Sequence, residues 1–286
     1  MIGGRGAVGG LFCEMLADAG PTMSVDLTEA HDHRTVPAVV ADVLAPDARL
    51  AGLIGHADLV LLALPEHAMT AAMSAVAPLM SAGALLAHTS SVQSVIAAEL
   101  AGHARERGIE ACGVDPMFAP ALGFRGRAVV LTEVEVGAHV DTFEQCMAGA
   151  GARVVRTTPA EHDRLTANLQ VAVHASLLAF GLSISGSGTD IDRYLDLATP
   201  PARALLTLLA RLCTGNPHVY QEIQHEHPSA DVTRVRLGEN LQRLSADDFA
   251  ATMGEITVWL GDRRAQLADD CARWFADATQ SSTTST

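Results

Sequence analysis

The 286 residues are 49% hydrophobic and 18% charged, enough to bury one large core or two modest ones and too apolar for a disordered chain. A formal net charge of -14, with no basic run, makes nucleic acid and anionic membrane surfaces poor partners. The 19 basic residues are all arginine, and the absence of lysine excludes Schiff-base and pyridoxal enzymes, Walker-type phosphate loops and dehydrogenases with a catalytic lysine.

Residues 3–12 read Gly-Gly-Arg-Gly-Ala-Val-Gly-Gly-Leu-Phe, in which Gly4, Gly6 and Gly9 fit GxGxxG. Gly4 suits the tight turn, Gly6 a close approach to pyrophosphate, and Gly9 the packing of a helix on a strand. The helix beginning near Ala7 and Val8 would point its amide end at the phosphates. A strand over Thr22–Asp26 follows, ending in an acidic residue about 20 positions beyond Gly4, the spacing at which a carboxylate takes the ribose hydroxyls of NAD and repels the extra phosphate of NADP. Arg34 is the residue placed to meet that phosphate instead. Only Met1 and Ile2 precede the glycines, so the first strand is expected to be nearly missing, through start-site choice or trimming.

Further apolar runs predict strands over Ala38–Val43, Leu59–Leu64, Ala84–Thr89, Glu110–Val114, Ala128–Thr132 and Arg153–Arg156. Helical stretches such as Leu11–Ala19, His67–Leu79 and Val140–Ala148 lie between them, which predicts a mostly parallel sheet covered on both faces. Strand ends at Leu64-Pro65-Glu66-His67 and His88-Thr89-Ser90-Ser91-Val92 belong at the carboxyl edge, beside the nicotinamide. His67 reads as a surface residue; Ser91 could cap a helix or touch substrate.

Beyond Arg156 the strand pattern stops. Pro159–Phe275 reads as helix, broken at Gly186–Gly188, Thr199–Pro201, Gly215–Pro217 and Pro228–Ala230. Val171–Leu182 is apolar nearly all round and calls for burial in a domain core or a subunit interface. The fold class expected is an α/β Rossmann-type dinucleotide-binding domain over 1–157, then an all-α domain over 158–279 and a disordered polar tail over 280–286. No apolar stretch looks long enough to span a bilayer. Five scattered cysteines without a CxxC pair read as reduced thiols in a cytoplasm. The triplets His31-Asp32-His33 and His225-Glu226-His227 read as solvated surface rather than metal ligands.

Four stretches together resemble the prephenate dehydrogenase family. They are Thr89-Ser90-Ser91-Val92; Gly113-Val114-Asp115-Pro116-Met117-Phe118-Ala119-Pro120, where the family typically reads GxHPMFGP; Glu161-His162-Asp163 with Gln170 and His174 following; and Arg211-Leu212 leading to Asn216-Pro217-His218-Val219-Tyr220. The likeness runs from Gly3 to about Phe275. It implies a nucleotide-binding domain, a helical dimerisation domain and a homodimer. The implied reaction is NAD-dependent oxidative decarboxylation of a small substrate with two carboxylates. By position, Arg211 resembles the arginine that binds a substrate carboxylate, and its mostly apolar flanks call for an anionic partner. Ser91 matches a serine near the reacting carbon. His174, His162 and Gln170 become candidates for the substrate pocket.

The departures bear on chemistry. The family's catalytic histidine falls on Asp115, His88 stands where an acidic residue is usual, and Gln93 where lysine is usual. A neutral imidazole suits a C4 hydroxyl, for which a carboxylate is a weaker base. An ammonium at C4 needs an anionic partner, which Asp115 supplies. The favoured substrate is therefore 4-amino-4-deoxyprephenate, giving 4-aminophenylpyruvate, the reaction by which enzymes resembling this family serve arylamine antibiotic pathways. The alternatives are prephenate itself, with His88 or His174 as base, and an inactive NAD-binding homologue. An imine reductase or other dehydrogenase of the same build is disfavoured by Asp115–Pro120.

Overall fold

A computed structural model describes residues 1–28, 36–245 and 249–283, with side chains through Ala276. The chain divides into two units, Met1–Thr166 and Ala167–Thr286. In the first, each strand forecast from the sequence is present: β1 Ser24–Asp26, β2 Ala38–Val40, β3 Leu59–Leu62, β4 Leu85–His88, β5 Glu110–Pro116, β6 Ala128–Glu135 and β7 Arg153–Thr157. The intervening helices are α1 Ala7–Ala19, α2 Ala48–Gly55, α3 Glu66–Val76, α4 Ser94–Arg107 and α5 Ala138–Gly149, and α6 Pro159–Thr166 follows β7.

β1 pairs with β2, and β3 through β7 lie in sequence order. Ile2 joins these groups, forming parallel bridges to Val25 on one side and Leu62 on the other. Its N–H donates to Leu61 O and its carbonyl accepts from Ala63 N, each at 2.9 Å. In place of a first strand, one residue, Ile2, makes the bridge at the centre of the sheet. All pairings are parallel except β5 with β6. The β5–β6 connection holds only the short 3-10 turn Pro120–Leu122 in place of a crossover helix, so β6 runs back beside β5.

Alternate strand residues feed opposite cores. Val60, Leu62, Leu86 and Ala111 pack with Met69, Met73 and Leu100 of α3 and α4. Leu61, Leu85, Ala87, Cys112 and Val114 pack with Phe12 and Met15 of α1 and Phe143 and Met147 of α5. The two-residue period of a strand therefore puts Gly113 and Asp115 on the α4 side.

The second unit is helical: α7 Val173–Ser185, α8 Ile191–Leu197, α9 Pro200–Thr214, α10 Pro217–His225, α11 Ala230–Arg243, α12 Phe249–Leu260 and α13 Arg263–Thr283. A π-turn, Ala167–Ala172, precedes α7. Gln224 Nε2 donates to Val171 O at 2.9 Å and so satisfies a carbonyl of that turn. Val171, Ile223 and Ala230 form the unit's own buried cluster. Within the single chain α7 is not buried on every side: Leu177 and Gly181 are, whereas Leu182 is 75% exposed. Trp259 and Val258 are 81% exposed and Trp274 71%.

Three expectations shift. The boundary lies at Thr166 rather than residue 157, because α6 carries buried polar side chains that bond back to the first unit. α13 continues through Thr283, past Gln280 where a disordered tail was expected. The helical run Pro159–Ser185 is, by length and composition, apolar enough to cross a membrane, contrary to the reading that no such stretch exists. His31, Asp32, His33 and Arg34 lie outside the described residues. His227 is buried, its Nδ1 accepting from Ser229 N at 3.1 Å, so of the second triplet only His225 and Glu226 are solvated.

Ile2 is 3% exposed at the seam of the sheet. Ile2→Ala is expected to cost about 2–5 kcal/mol in urea unfolding. A cost below about 1 kcal/mol would mean that the backbone bridges alone hold the seam.

Candidate active site

The glycine loop closes on the first residues of the chain. Gly3 has φ +77°, and a Cβ at Gly9 would lie 2.1 Å from Gly3 O, so the helix start and the turn can approach only as glycines. A Cβ at Gly4 would strike Ser24 Oγ at 2.3 Å, whereas one at Gly6 would meet only Gly3 O, at 3.4 Å. Gly6 caps α1 without a side chain, and no acidic residue occupies the first turn, which holds Ala7 and Val8. Asp26 ends β1 and accepts from Arg5 N at 3.2 Å and Leu27 N at 2.8 Å. This is a cradle for a dinucleotide: amides at a helix start for the phosphates, and a carboxylate beside the loop for a ribose. Leu64 and Pro65 follow β3 at the same edge, with Pro65 capping α3. A large groove, about 1240 Å³, lies at the opposite edge of the sheet, lined by Met1, Leu16, Met23, Leu53 and Phe143, and touches none of these residues.

Asp115, near the end of β5, has a side chain 8% exposed, and its Oδ2 lies 3.1 Å from His162 Nε2. His162 is 1% exposed, and its Nδ1 lies 2.9 Å from Asp163 Oδ1. Asp163 also accepts from the backbone N–H of Gln93 and of Ser94, each at 2.9 Å, and from the Ser94 hydroxyl. It therefore caps α4 from another helix, a role that nothing near it in sequence announces. Gln93 is fully buried, taking a bond from Thr132 Oγ1 at 2.7 Å and donating to Ser90 O. A Cβ on Gly113 would lie 1.8 Å from Gln93 Oε1, so the strand must be bare there. Glu66 of α3 accepts from Ser91 N at 2.9 Å and so holds the loop that carries Ser91.

His162 and His88 thus differ from their expected roles. Both ring nitrogens of His162 are engaged at 1% exposure, so it backs Asp115 instead of lining a substrate surface. His88 has no exposed surface, and its Nδ1 accepts from Ser90 N at 3.3 Å. Burial, with the neighbouring His162 charge, holds its imidazole down to about 3, so it is neutral and cannot meet a ligand. In the second unit, Gln170 lies in the π-turn and His174 near the start of α7. His174 stacks edge-on against Tyr220 at 5.1 Å, and its Nδ1 is buried without a hydrogen-bond partner among the described residues. Burial and then the Arg211 charge hold it below its usual value, so it too is neutral. Arg211, in the last turn of α9, is exposed, and no ion pair engages it among the described residues.

Burial alone would discharge His162, yet its hydrogen bonds to Asp115 and Asp163 raise it to about 9. A histidine raised on folding contributes stability that is full below its unfolded value near 6.5 and is lost as pH climbs through the folded value. The unfolding free energy should therefore fall by on the order of 3 kcal/mol between pH 6.5 and 9.5, as read by urea titration. His162→Gln should flatten that slope, and an unchanged slope would show that the imidazolium is not the group responsible.

No family model matches this sequence. The chain is 40% identical to a 4-amino-4-deoxyprephenate dehydrogenase of Streptomyces pristinaespiralis over 285 residues, covering 96% of this chain and 95% of that one. It is 28% identical to the T-protein of Enterobacter agglomerans, over 92% of this chain and 67% of the relative. Among solved structures, prephenate dehydrogenase from Aquifex aeolicus in complex with hydroxyphenyl propionate and NAD+ superposes with a TM-score of 0.70 at 16% identity, over 92% of this chain and 94% of that one, a likeness of fold. A Corynebacterium glutamicum structure described as a putative prephenate dehydrogenase gives 0.68 at 17% identity, over 93% and 88%. With a glycine cradle followed by a helical unit, and 40% identity along nearly the whole of a curated relative, this chain belongs to the prephenate dehydrogenase family.

Proposed function

We propose that this chain oxidises and decarboxylates 4-amino-4-deoxyprephenate to 4-aminophenylpyruvate, with NAD as hydride acceptor, as a cytoplasmic homodimer serving arylamine antibiotic biosynthesis. The observation that carries the reading is Asp115. A carboxylate stands where the family's catalytic histidine falls, and behind it the nearest group is a histidine already engaged by a second carboxylate. The Streptomyces relative named for this substrate supports the same choice.

Gly4, Gly6, Ala7, Val8 and Gly9 would hold the pyrophosphate of NAD, Asp26 its ribose, and Leu64 and Pro65 would flank it. NAD, when bound, takes the hydride that leaves C4. For that hydride to leave, the C4 nitrogen must expose its lone pair, so the ammonium has to surrender one proton, and Asp115 is the group that accepts it. The ring carboxylate then departs as carbon dioxide, its bonding pair entering the ring to complete an arylamine. Ser91 would lie near the reacting carbon; in the helical unit, Arg211 would hold a substrate carboxylate, and His174 and Gln170 would be further substrate-binding residues. Prephenate is the second reading, favoured by one observation: His174 is neutral and its Nδ1 is unpartnered among the described residues, as a base for a hydroxyl would be.

The exposed apolar side chains of α7, α9, α12 and α13, including Leu182, Leu208, Trp259 and Trp274, support a symmetric interface across residues 160–275. Light scattering at micromolar concentration should give a dimer mass; a monomer would overturn this part.

NAD should be preferred over NADP by at least about tenfold in kcat/KM, a difference of roughly 1.4 kcal/mol. Equal or better kinetics with NADP would defeat the assignment of Asp26. Wild-type protein should turn over the amino substrate faster than prephenate. Asp115→Asn and Asp115→His should each lower the amino reaction by roughly two to three decades, since one partner of a charge pair is removed. Asp115→His should raise activity on prephenate, and Arg211→Ala should weaken both reactions. A wild-type preference for prephenate, or an unchanged amino reaction in Asp115→Asn, would overturn the proposal and leave His174 as the base.

A further inference from the structure

Asp115 does not stand alone, and the hydrogen-bond arithmetic around it is restrictive. Asp163 takes four donors: the N–H of Gln93 and of Ser94, the Ser94 hydroxyl, and His162 Nδ1. Burial works against its charge, but these donors hold the Asp163 carboxyl below its usual range, so it is a carboxylate and the Nδ1 that contacts it carries a proton. At the other end Nε2 and Asp115 Oδ2 lie 3.1 Å apart, and two bare acceptors would repel at that distance. One proton therefore lies between them. Among the described residues the Asp115 side chain has no other hydrogen-bond partner, and it keeps the 8% exposure that His162 lacks.

The geometry points to His162 and Asp163 as a positioning pair for Asp115: an imidazolium fixed by Asp163 occupies Oδ2 and leaves Oδ1 as the oxygen that meets the substrate nitrogen. The pair sets which lone pairs of Asp115 are presented, and in what direction. It also fixes the charge. Two carboxylates and one imidazolium sum to one negative charge, which a single ammonium neutralises. The groups facing His162 are Asp115 from β5, Asp163 from α6 itself and the neutral His88 from β4. The raised value of His162, about 9, agrees with the count of donors. His162 and Asp163 act through Asp115 and need not touch substrate.

The selectivity consequence rests on the amino-substrate reading, whereas the pair itself does not, and two readouts separate them. The first is the ring nitrogen NMR of the full-length protein, with the His162 signal assigned by its loss in His162→Gln. His162 should stay protonated until about pH 9, and in Asp163→Asn its midpoint should fall by at least about one unit, as loss of a carboxylate neighbour requires. Asn keeps one of the two oxygens, so one of the two α4 amides retains its acceptor. The second readout is steady-state kinetics at pH 7.5 with 4-amino-4-deoxyprephenate and, separately, prephenate. His162→Leu should lower kcat on the preferred substrate at least tenfold with a smaller change in KM. His162→Gln, whose amide can still donate to Oδ2, should recover part of the loss.

A His162 midpoint below pH 7 in wild type, or one unmoved by Asp163→Asn, would overturn the pair whatever the substrate. So would kcat in both His162→Leu and His162→Gln equal to wild type. Should wild type prefer prephenate while the NMR midpoint stands near 9 and His162→Leu still loses kcat, the pair holds and only the amino reading fails.

Discussion

A buried imidazole held between two carboxylates governs how the first unit of this molecule is built. Burying an imidazolium is costly, and its two carboxylates would be costlier still if left apart. The structure offsets these costs by making one residue serve twice. Asp163 neutralises His162 and at the same time receives the first amides of α4, where the helix's own positive end favours an anion. The carboxylate is thus anchored by a helix, the imidazolium by the carboxylate, and Asp115 by the imidazolium. β5, α4 and α6 are tied at their ends by side chains, with Gly113 left bare so that Gln93 can fill the space between strand and helix. His88 completes the arrangement by staying neutral, since a second cation at that distance would undo it.

The dinucleotide end of the same unit rests on a different constraint, one of backbone approach. Gly3, Gly4 and Gly9 meet neighbouring atoms at distances that no side chain permits, and Ile2, immediately before them, is the residue through which β1 and β3 are joined. The turn that would receive pyrophosphate is therefore continuous with the centre of the sheet. Any displacement of the glycine loop must also move the seam, and so the β3 and β4 ends that carry Leu64, Pro65 and Ser91. Rigid glycines at one end and the Asp115–His162 contact at the other would give two reacting partners a common frame, which is where proximity and orientation do most for a hydride transfer.

Much of this was legible in the residues. The central strands, buried on both faces, are short apolar runs such as Leu59–Leu62 and Leu85–His88, bounded by Asp58 and Pro65 and preceded by Gly83. The GxGxxG turn and Asp26 carry their spacing openly. What escaped is long-range or depends on the absence of something. The reversal of β6 followed from a missing crossover helix, which no residue in β6 itself records. Asp163 reads as an ordinary acid of α6, because a cap is normally sought beside the helix it caps, and here it comes from about 70 residues away. His162 and His88 carry the same side chain, yet one is raised and the other lowered, because charge in a buried site is decided by partners that sequence order does not list. The division after Thr166 has the same cause: α6 has a helical pattern, but its buried polar residues bond to the sheet and to α4.

The retention of Glu161-His162-Asp163 beside an altered position 115 sharpens the chemical argument. With histidine at 115, His162 would face another imidazole, and a single proton between two rings would leave a neutral base for a hydroxyl. With aspartate there, the imidazolium has a carboxylate on each side, one ring N–H toward each, and the three groups of the site together carry one negative charge. A neutral hydroxyl entering it gains nothing from that charge and finds only a weak base. An ammonium gains a full counter-charge in a place where water cannot supply one, and the proton it must shed has a carboxylate oxygen waiting. Aspartate in place of histidine at 115 would thus change both the charge that the site prefers to bind and the kind of proton it can remove, while the pair behind it stays where the rest of the fold needs it.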